Sequence, residues 1–203
     1  CTNFKVHTFT GPGTFAVCST GNAAGSNTVD YLVIGGGGSS SQGGPSTHAG
    51  GGGGAGGYRF SNGTASGCYS AGPSPLGVSA LPVSAQSYSI AVGAGGARVP
   101  GSCQQPGLIG AVSTFSTITS AGGGGGAGPW PGGNISLPGG AGNTPPVSPS
   151  QGNPGGTTTT NNNSGGSGGG AGGAGSATPG STYGGDGGIG LASSITGAAV
   201  TRG

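Results

Sequence analysis

Few side chains in this 203-residue chain could do acid–base, nucleophilic or metal chemistry. His7 and His48 are the candidate general bases, and Asp30 and Asp186 are the only carboxylates, since the chain has no Glu. Hydrolysis by a triad or by paired acids needs several such groups converging on one point. His7 falls on an expected strand face and His48 lies within a Gly/Ser loop, so neither has partners in sight. The Gly runs 35–38 and 51–57 suggest phosphate cradles, but a dinucleotide fingerprint opens a helix and a P-loop ends in Gly-Lys-Ser/Thr. No helix-forming segment follows Ile34 and its Gly run. The expectation is a protein that is not an enzyme and carries no cofactor.

Cys1, Cys18, Cys68 and Cys103 form no Cys-x-x-Cys pair and have few histidines nearby, which argues against a metal site. Disulfides are the favoured use, because crosslinks restrain a floppy unfolded chain, and they imply an oxidising, extracellular setting. A Cys at position one also allows a lipid-bearing terminus, and a chain opening there without Met reads as mature or fragmentary. Trp130, the only Trp, stands between Pro129 and Pro131 and is either a packing plug or an exposed platform for a sugar or receptor. Tyr69 and Tyr183 join it as candidate receptor or glycan contacts. Glycosylation acceptor triplets begin at Asn62, Asn134 and Asn162.

Composition narrows the elements that must position these residues. Gly supplies 57 residues and Pro 15, while 3% are charged. Ordinary globular chains carry about 7% Gly and roughly 25% charged residues, so a helical or α/β domain is excluded. Lys5, Arg59, Arg98 and Arg202 are scattered, whereas phosphate binding needs clustered cations, so nucleic acid is not an expected partner. No apolar run approaches the length of a membrane span.

Apolar patterning marks short strands. Residues 4–18 read as a hairpin about Thr10–Gly13, and 28–34 as a buried strand feeding the first Gly tract. Tyr58 and Phe60 re-enter as anchors. Residues 61–82 carry Pro73, Pro75 and Pro82 and form a long loop. Residues 83–92 alternate, with Tyr88, Ile90 and Val92 on one face, and 111–119 form another strand. Ser and Thr fill outward positions. Beyond Ser120 almost no strand-forming sequence remains until Ile189.

The fold class is therefore mainly β with a polyproline/polyglycine II-like glycine bundle and essentially no α-helix. Residues 1–120 form a β-scaffold with glycine-rich and Pro-rich insertions, and 121–203 a packed glycine-rich region cooperative with it. Ala55, Ala121, Ala127, Ala171 and Ala174 interrupt the runs where a solvated linker would carry Ser, which favours packed over flexible tracts. The irregular runs lack the Gly-X-Y period of collagen.

Five strings in order, VDYLVIGGGG (29–38), GGGGAGGYR (51–59), YSIAVGAGG (88–96), STFSTITSAGGGGG (113–126) and GGDGGIGLASSITGAAVTRG (184–203), resemble the glycine-rich domain of bacteriophage tail-fibre and adhesin proteins. That resemblance implies a structural or adhesive component of an extracellular fibre, filament or virion appendage. Its surface loops would meet a cell-surface glycan or protein receptor, and it would work as a homo-oligomer. By analogy 35–38, 50–54 and 122–126 are framework, and 39–49, 61–82, 98–110 and 129–163 are variable tips. The cysteines and Pro-rich insertions depart from the family. Of the three possible pairings, Cys1–Cys18 across the hairpin and Cys68–Cys103 between the two insertions is favoured. The alternatives are a disordered coat or matrix protein and an ice-binding protein.

Overall fold

The computed structural model describes residues 4–21, 26–43, 49–63, 77–100, 105–128, 140–142, 144, 146–158, 165–178 and 184–203. Among them there is no helix, and eleven short strands appear: β1 (Gly13–Ala16), β2 (Thr28–Val29), β3 (Leu32–Ile34), β4 (Tyr58–Ser61), β5 (Gly77–Val78), β6 (Leu81–Pro82), β7 (Ser87–Ala91), β8 (Ser113–Phe115), β9 (Ile118–Ser120), β10 (Leu191–Ser193) and β11 (Val200–Arg202).

The largest sheet has the order β1-β7-β8-β9 and is antiparallel throughout. β3-β4-β5 form a second sheet with a parallel β4-β5 pair, and β2-β6 and β10-β11 are antiparallel pairs. Residues 4–18 do not form the expected hairpin. β1 takes β7 as its partner, with Phe15 opposite Tyr88, while His7 packs edge-on against Phe15 with ring centroids 5.4 Å apart. The expected strand 111–119 is instead the β8-β9 hairpin, turning at Ser116 with φ of 54°. Likewise 28–34 splits at Asp30 and Tyr31, where the chain changes partner from β6 to β4.

Period-two alternation places Tyr88 and Phe115 inward with Tyr31, Val33 and Val83, and Phe15, Ile90 and Ile118 pack against them. Phe15, Tyr31 and Tyr88 each meet Phe115 edge-on or nearly so. Tyr58 and Phe60 anchor a second cluster with Ala171, so the anchoring role read for them holds.

Between the strands the glycine-rich stretches lie side by side, and their hydrogen bonds advance by three residues. The N–H groups of Gly35, Gly38 and Ser41 donate to the carbonyls of Gly57, Gly54 and Gly51 at 2.9, 2.8 and 3.0 Å. Those of Gly36, Ser39 and Gln42 donate to Ala111, Leu108 and Gln105 at 2.9, 2.9 and 3.1 Å. Gly57, Gly54 and Gly51 donate onward to Ala121, Gly124 and Ala127, and Gly123 and Gly126 donate back to Gly36 and Ser39. A β-ladder repeats every two residues, so these tracts are not strands of a sheet. Burial repeats by three as well: in 105–112 Gly107 and Gly110 face inward while Leu108, Ile109, Ala111 and Val112 are exposed.

Candidate interaction surface

Hydrogen-bond registers fix which way each tract runs. Residues 35–42 leave β3 and run away from the sheets; 50–57 return antiparallel into β4; 93–97 leave β7 and 105–112 return into β8. Residues 121–127 leave β9, and 140–142 and 144 return beside them. The later tracts repeat the pattern: 151–157 outward, 165–171 back, 173–178 outward, and 184–190 back into β10. Every outward tract therefore ends, and every returning tract begins, at the end of the molecule remote from the sheets. The flanks of 44–48, 101–104, 129–139, 159–164 and 179–183 all stand there. The flanks of 64–76, Gly63 and Gly77, stand at the sheet end instead. Residues 39–42 and 105–110, expected among the tips, belong to the hydrogen-bonded tracts.

Of the sequence-derived site residues, Tyr69, Trp130, Tyr183, Asn134 and Asn162 lie outside the described residues. Asn62 is described and half-buried at the end of β4, its backbone N–H donating to Val78 at 2.7 Å. His48 lies outside the description, and His7 serves as a ring packed on Phe15. Among the described residues no three His, Cys, Asp or Glu cluster, and no helix is long and apolar enough to cross a membrane.

The disulfide expectation is corrected. Cys18 is free and exposed, and no disulfide occurs among the described residues; Cys1, Cys68 and Cys103 fall outside them. The physical reason lies in strand pairing: the hairpin that would have set Cys1 against Cys18 is absent, because β1 pairs with β7. The residues flanking the Cys68 and Cys103 stretches also stand at opposite ends of the tracts.

Sequence reading also missed a set of buried polar clamps. Gln151 is 4% exposed; its Oε1 accepts from the Ala121 N–H at 2.9 Å, its Nε2 donates to the Thr119 carbonyl at 3.0 Å, and its carbonyl accepts from Tyr58 at 2.9 Å. Asn153 Nδ2 donates to Gly170 and Ala171 at 3.1 and 3.0 Å. Ser120, fully buried, donates to the Gly57 carbonyl, and Ser61 accepts from the Tyr31 N–H at 3.0 Å while donating to Asp30 at 2.7 Å. Strand parity carried a signal, because Ser113 shares a face with Phe115 and Ser120 with Ile118.

Two tyrosines beside these clamps, Tyr31 between β2 and β3 and Tyr58 on β4, have buried hydroxyls with no partner at full hydrogen-bond geometry among the described residues, although the Ser193 hydroxyl lies near enough to Tyr58 to act on its phenol. Burial pushes both phenols above the usual 10.0; Arg59 opposes the shift at Tyr31, and Ser193 and Arg202 oppose it at Tyr58. Tyr88 is pulled down, chiefly by its hydrogen bond with the Ser84 hydroxyl. A raised phenol holds its proton more tightly folded than unfolded, so its stabilisation is full below pH ~10 and is lost as pH rises through the folded value. Phenolate absorbance is therefore expected to show Tyr88 titrating early, and Tyr31 and Tyr58 only as the protein unfolds in alkali. Early titration of all three would refute the buried placements.

The described residues form short strands joined by laterally hydrogen-bonded glycine tracts, with the buried Gln151, Asn153 and Ser120 side chains spent on backbone partners, the arrangement of a structural framework. The family model described as a glycine-rich domain matches residues 10–203, and the chain belongs to that structural family. No curated protein and no solved structure matched.

Proposed function

We propose that this chain is a structural and adhesive surface protein, a repeated component of an extracellular fibre, filament or virion appendage. In this reading the glycine tracts form a bundle of extended, three-residue-per-turn helices of the polyglycine II type, and the bundle holds attachment loops away from the β-scaffold. The observation that carries it is the gathering of five loop flanks at the end remote from the sheets, with most of the tracts between them hydrogen-bonded at a three-residue step. Polyglycine II geometry has three residues per turn, which matches the hydrogen-bond step and the burial step. Glycines in the tracts also avoid the left-handed region: the positive-φ glycines among the described residues are Gly63, Gly197 and Gly203. They serve close approach of backbones. Residues 1–120 and 121–203 act as one cooperative unit, because hydrogen bonds such as Gly54 to Gly124 and Ala55 to Gly169 cross between them.

Trp130 and Tyr183 belong to stretches whose flanks stand at that remote end, and they are the proposed glycan or receptor contacts there; Tyr69 would act from the sheet end. Loops of modest affinity gain strength by repetition, which suits a fibre. The test has two readouts. Hydrogen exchange is expected to be slow at Gly36, Gly54, Gly123 and Gly169; fast exchange and proteolysis through 121–203 would favour a disordered coat. Protein displayed in many copies is then probed on an array of defined surface oligosaccharides. Binding that survives in the parent but falls at least about tenfold in Trp130→Ala, with unchanged unfolding, supports attachment. Equal binding by Trp130→Ala and by a variant with 129–139 replaced by a short linker would sink it.

A further inference from the structure

We propose that copies of this chain associate side by side and in parallel, the edge formed by 93–98 and 105–112 of one copy meeting the 184–190 edge of the next. This rests on the bundle reading above. The hydrogen-bond network orders the tracts from 93–97 and 105–112, through 35–42 and 121–127, then 50–57 and 140–142, then 165–171, to 184–190, so the two edges are opposite flanks. The first flank is unusually apolar for an exposed surface: Leu108, Ile109 and Val112 are 47%, 58% and 45% exposed, beside exposed Ala94, Ala97 and Ala111. On the second flank Ile189 is 70% exposed, and Gly184 and Gly187 would leave a Cβ in ordinary contact or open space.

Each flank carries one exposed charge, and the signs are opposite: Arg98 on the first and Asp186 on the second. Their order along the axis also matches. Arg98 lies toward the loop end with Val112 toward the sheets, because Ala94 pairs with Ala111 and Gln42 Nε2 holds Val99 at 2.8 Å. Asp186 lies toward the loop end with Ile189 toward the sheets, because the 184–190 tract returns into β10. In parallel copies charge faces charge, and the aliphatic row of the first flank faces Ile189 and the open backbone at Gly184 and Gly187. Side chains three residues apart stand ~9.3 Å apart on such a helix, so the rows Ile109/Val112 and Gly184/Gly187 share one axial repeat. With a formal net charge of +2, like-charge repulsion between copies is small. The two surfaces differ, so the contact is heterologous and can extend past a dimer, and it sets every loop end on the same face.

Sedimentation of the full chain tests this with Arg98→Asp and Asp186→Arg, both at exposed positions. Wild type is expected to grow with concentration past a dimer. Each variant alone should associate roughly tenfold more weakly, since attraction becomes repulsion at every junction. An equimolar mixture of the two variants should recover wild-type association, because each junction then pairs opposite charges again, and Ile109→Ser should weaken association without changing its salt dependence. A closed dimer, a monomer at every concentration, or a mixture no better than either variant overturns the interface. A monomer whose tract amides stay protected against exchange overturns the interface alone; lost protection would sink the bundle reading with it.

Discussion

Gly36→Ala is expected to abolish folding, whereas Gly37→Ala, one residue along, should leave the protein folded and as stable as before. A Cβ at Gly36 would fall closer than 3.0 Å to the carbonyl of Ala94, and one at Gly35 or Gly38 would strike the carbonyls of Ala121 or Gly124 in the same way. These neighbours are backbone whose carbonyls accept from Ala111, Gly57 and Gly54, so they cannot swing aside as a long side chain would. Overpacking in an ordinary core costs about 1–3 kcal/mol, and a clash with fixed backbone belongs at or above the top of that range. At Gly37 the nearest atom to an added Cβ is the Gly54 carbonyl oxygen at 3.6 Å, and at Gly95 it is the Gly37 carbonyl oxygen at 3.5 Å. Neither residue has a positive φ. Alanine at either should be neutral or stabilise by ~0.5 kcal/mol through the unfolded chain. Denaturant unfolding of the alanine variants at Gly35, Gly36, Gly37, Gly38 and Gly95 reads the pattern directly; equal loss at Gly36 and Gly37 would refute the packing.

Gln151→Ala should be nearly as damaging, at about 3 kcal/mol or more. The side chain supplies an acceptor to the Ala121 N–H and a donor to the Thr119 carbonyl where β9 passes into the 121–127 tract. Removing it strands two backbone groups, and each buried unpaired group costs about 1–3 kcal/mol. Gln151→Glu keeps the shape and the acceptor but sets a carboxyl oxygen against the Thr119 carbonyl oxygen. That variant should be tolerated only when the carboxyl is protonated, so its stability should rise as pH falls through the titration of residue 151. A Gln151→Glu protein with a flat stability profile, or a Gln151→Ala protein within ~0.5 kcal/mol of the parent, would remove Gln151 from the role of clamp.

How much of this was legible beforehand depended on how much side-chain pattern each stretch carries. Tyr88 and Ile90 announce a half-buried strand by alternation, and Tyr58 and Phe60, following a run of glycines, announce an anchor. The Ser116 turn gave no such notice, because no Gly, Asn or Asp marks its left-handed residue. The pairing of β1 with β7 joins residues more than seventy positions apart and competes with a local hairpin that looked equally good on pattern alone. Ser61, Ser113 and Ser120 looked like solvent-facing fillers because serine is so often exposed, although their strand parity placed the latter two with the core. Within the glycine tracts the difficulty is deeper. A residue without a side chain carries no mark of its neighbour, so the partners of Gly36 or Gly54 follow from the whole assembly.

The up-and-down course of the tracts also sets what lengths of chain the molecule can accept. On the three-residue-per-turn geometry proposed above, inserting or deleting one residue inside 121–127 would rotate everything beyond it by about a third of a turn and set alanine methyls where only hydrogen fits. Changes there are confined to multiples of three. The register constrains the tracts themselves, and doubling the length of a connection between an outgoing tract and its return costs only ~0.6 kcal/mol in closure entropy. The end remote from the sheets can thus be rewritten in length and content over generations while the interior stays in step.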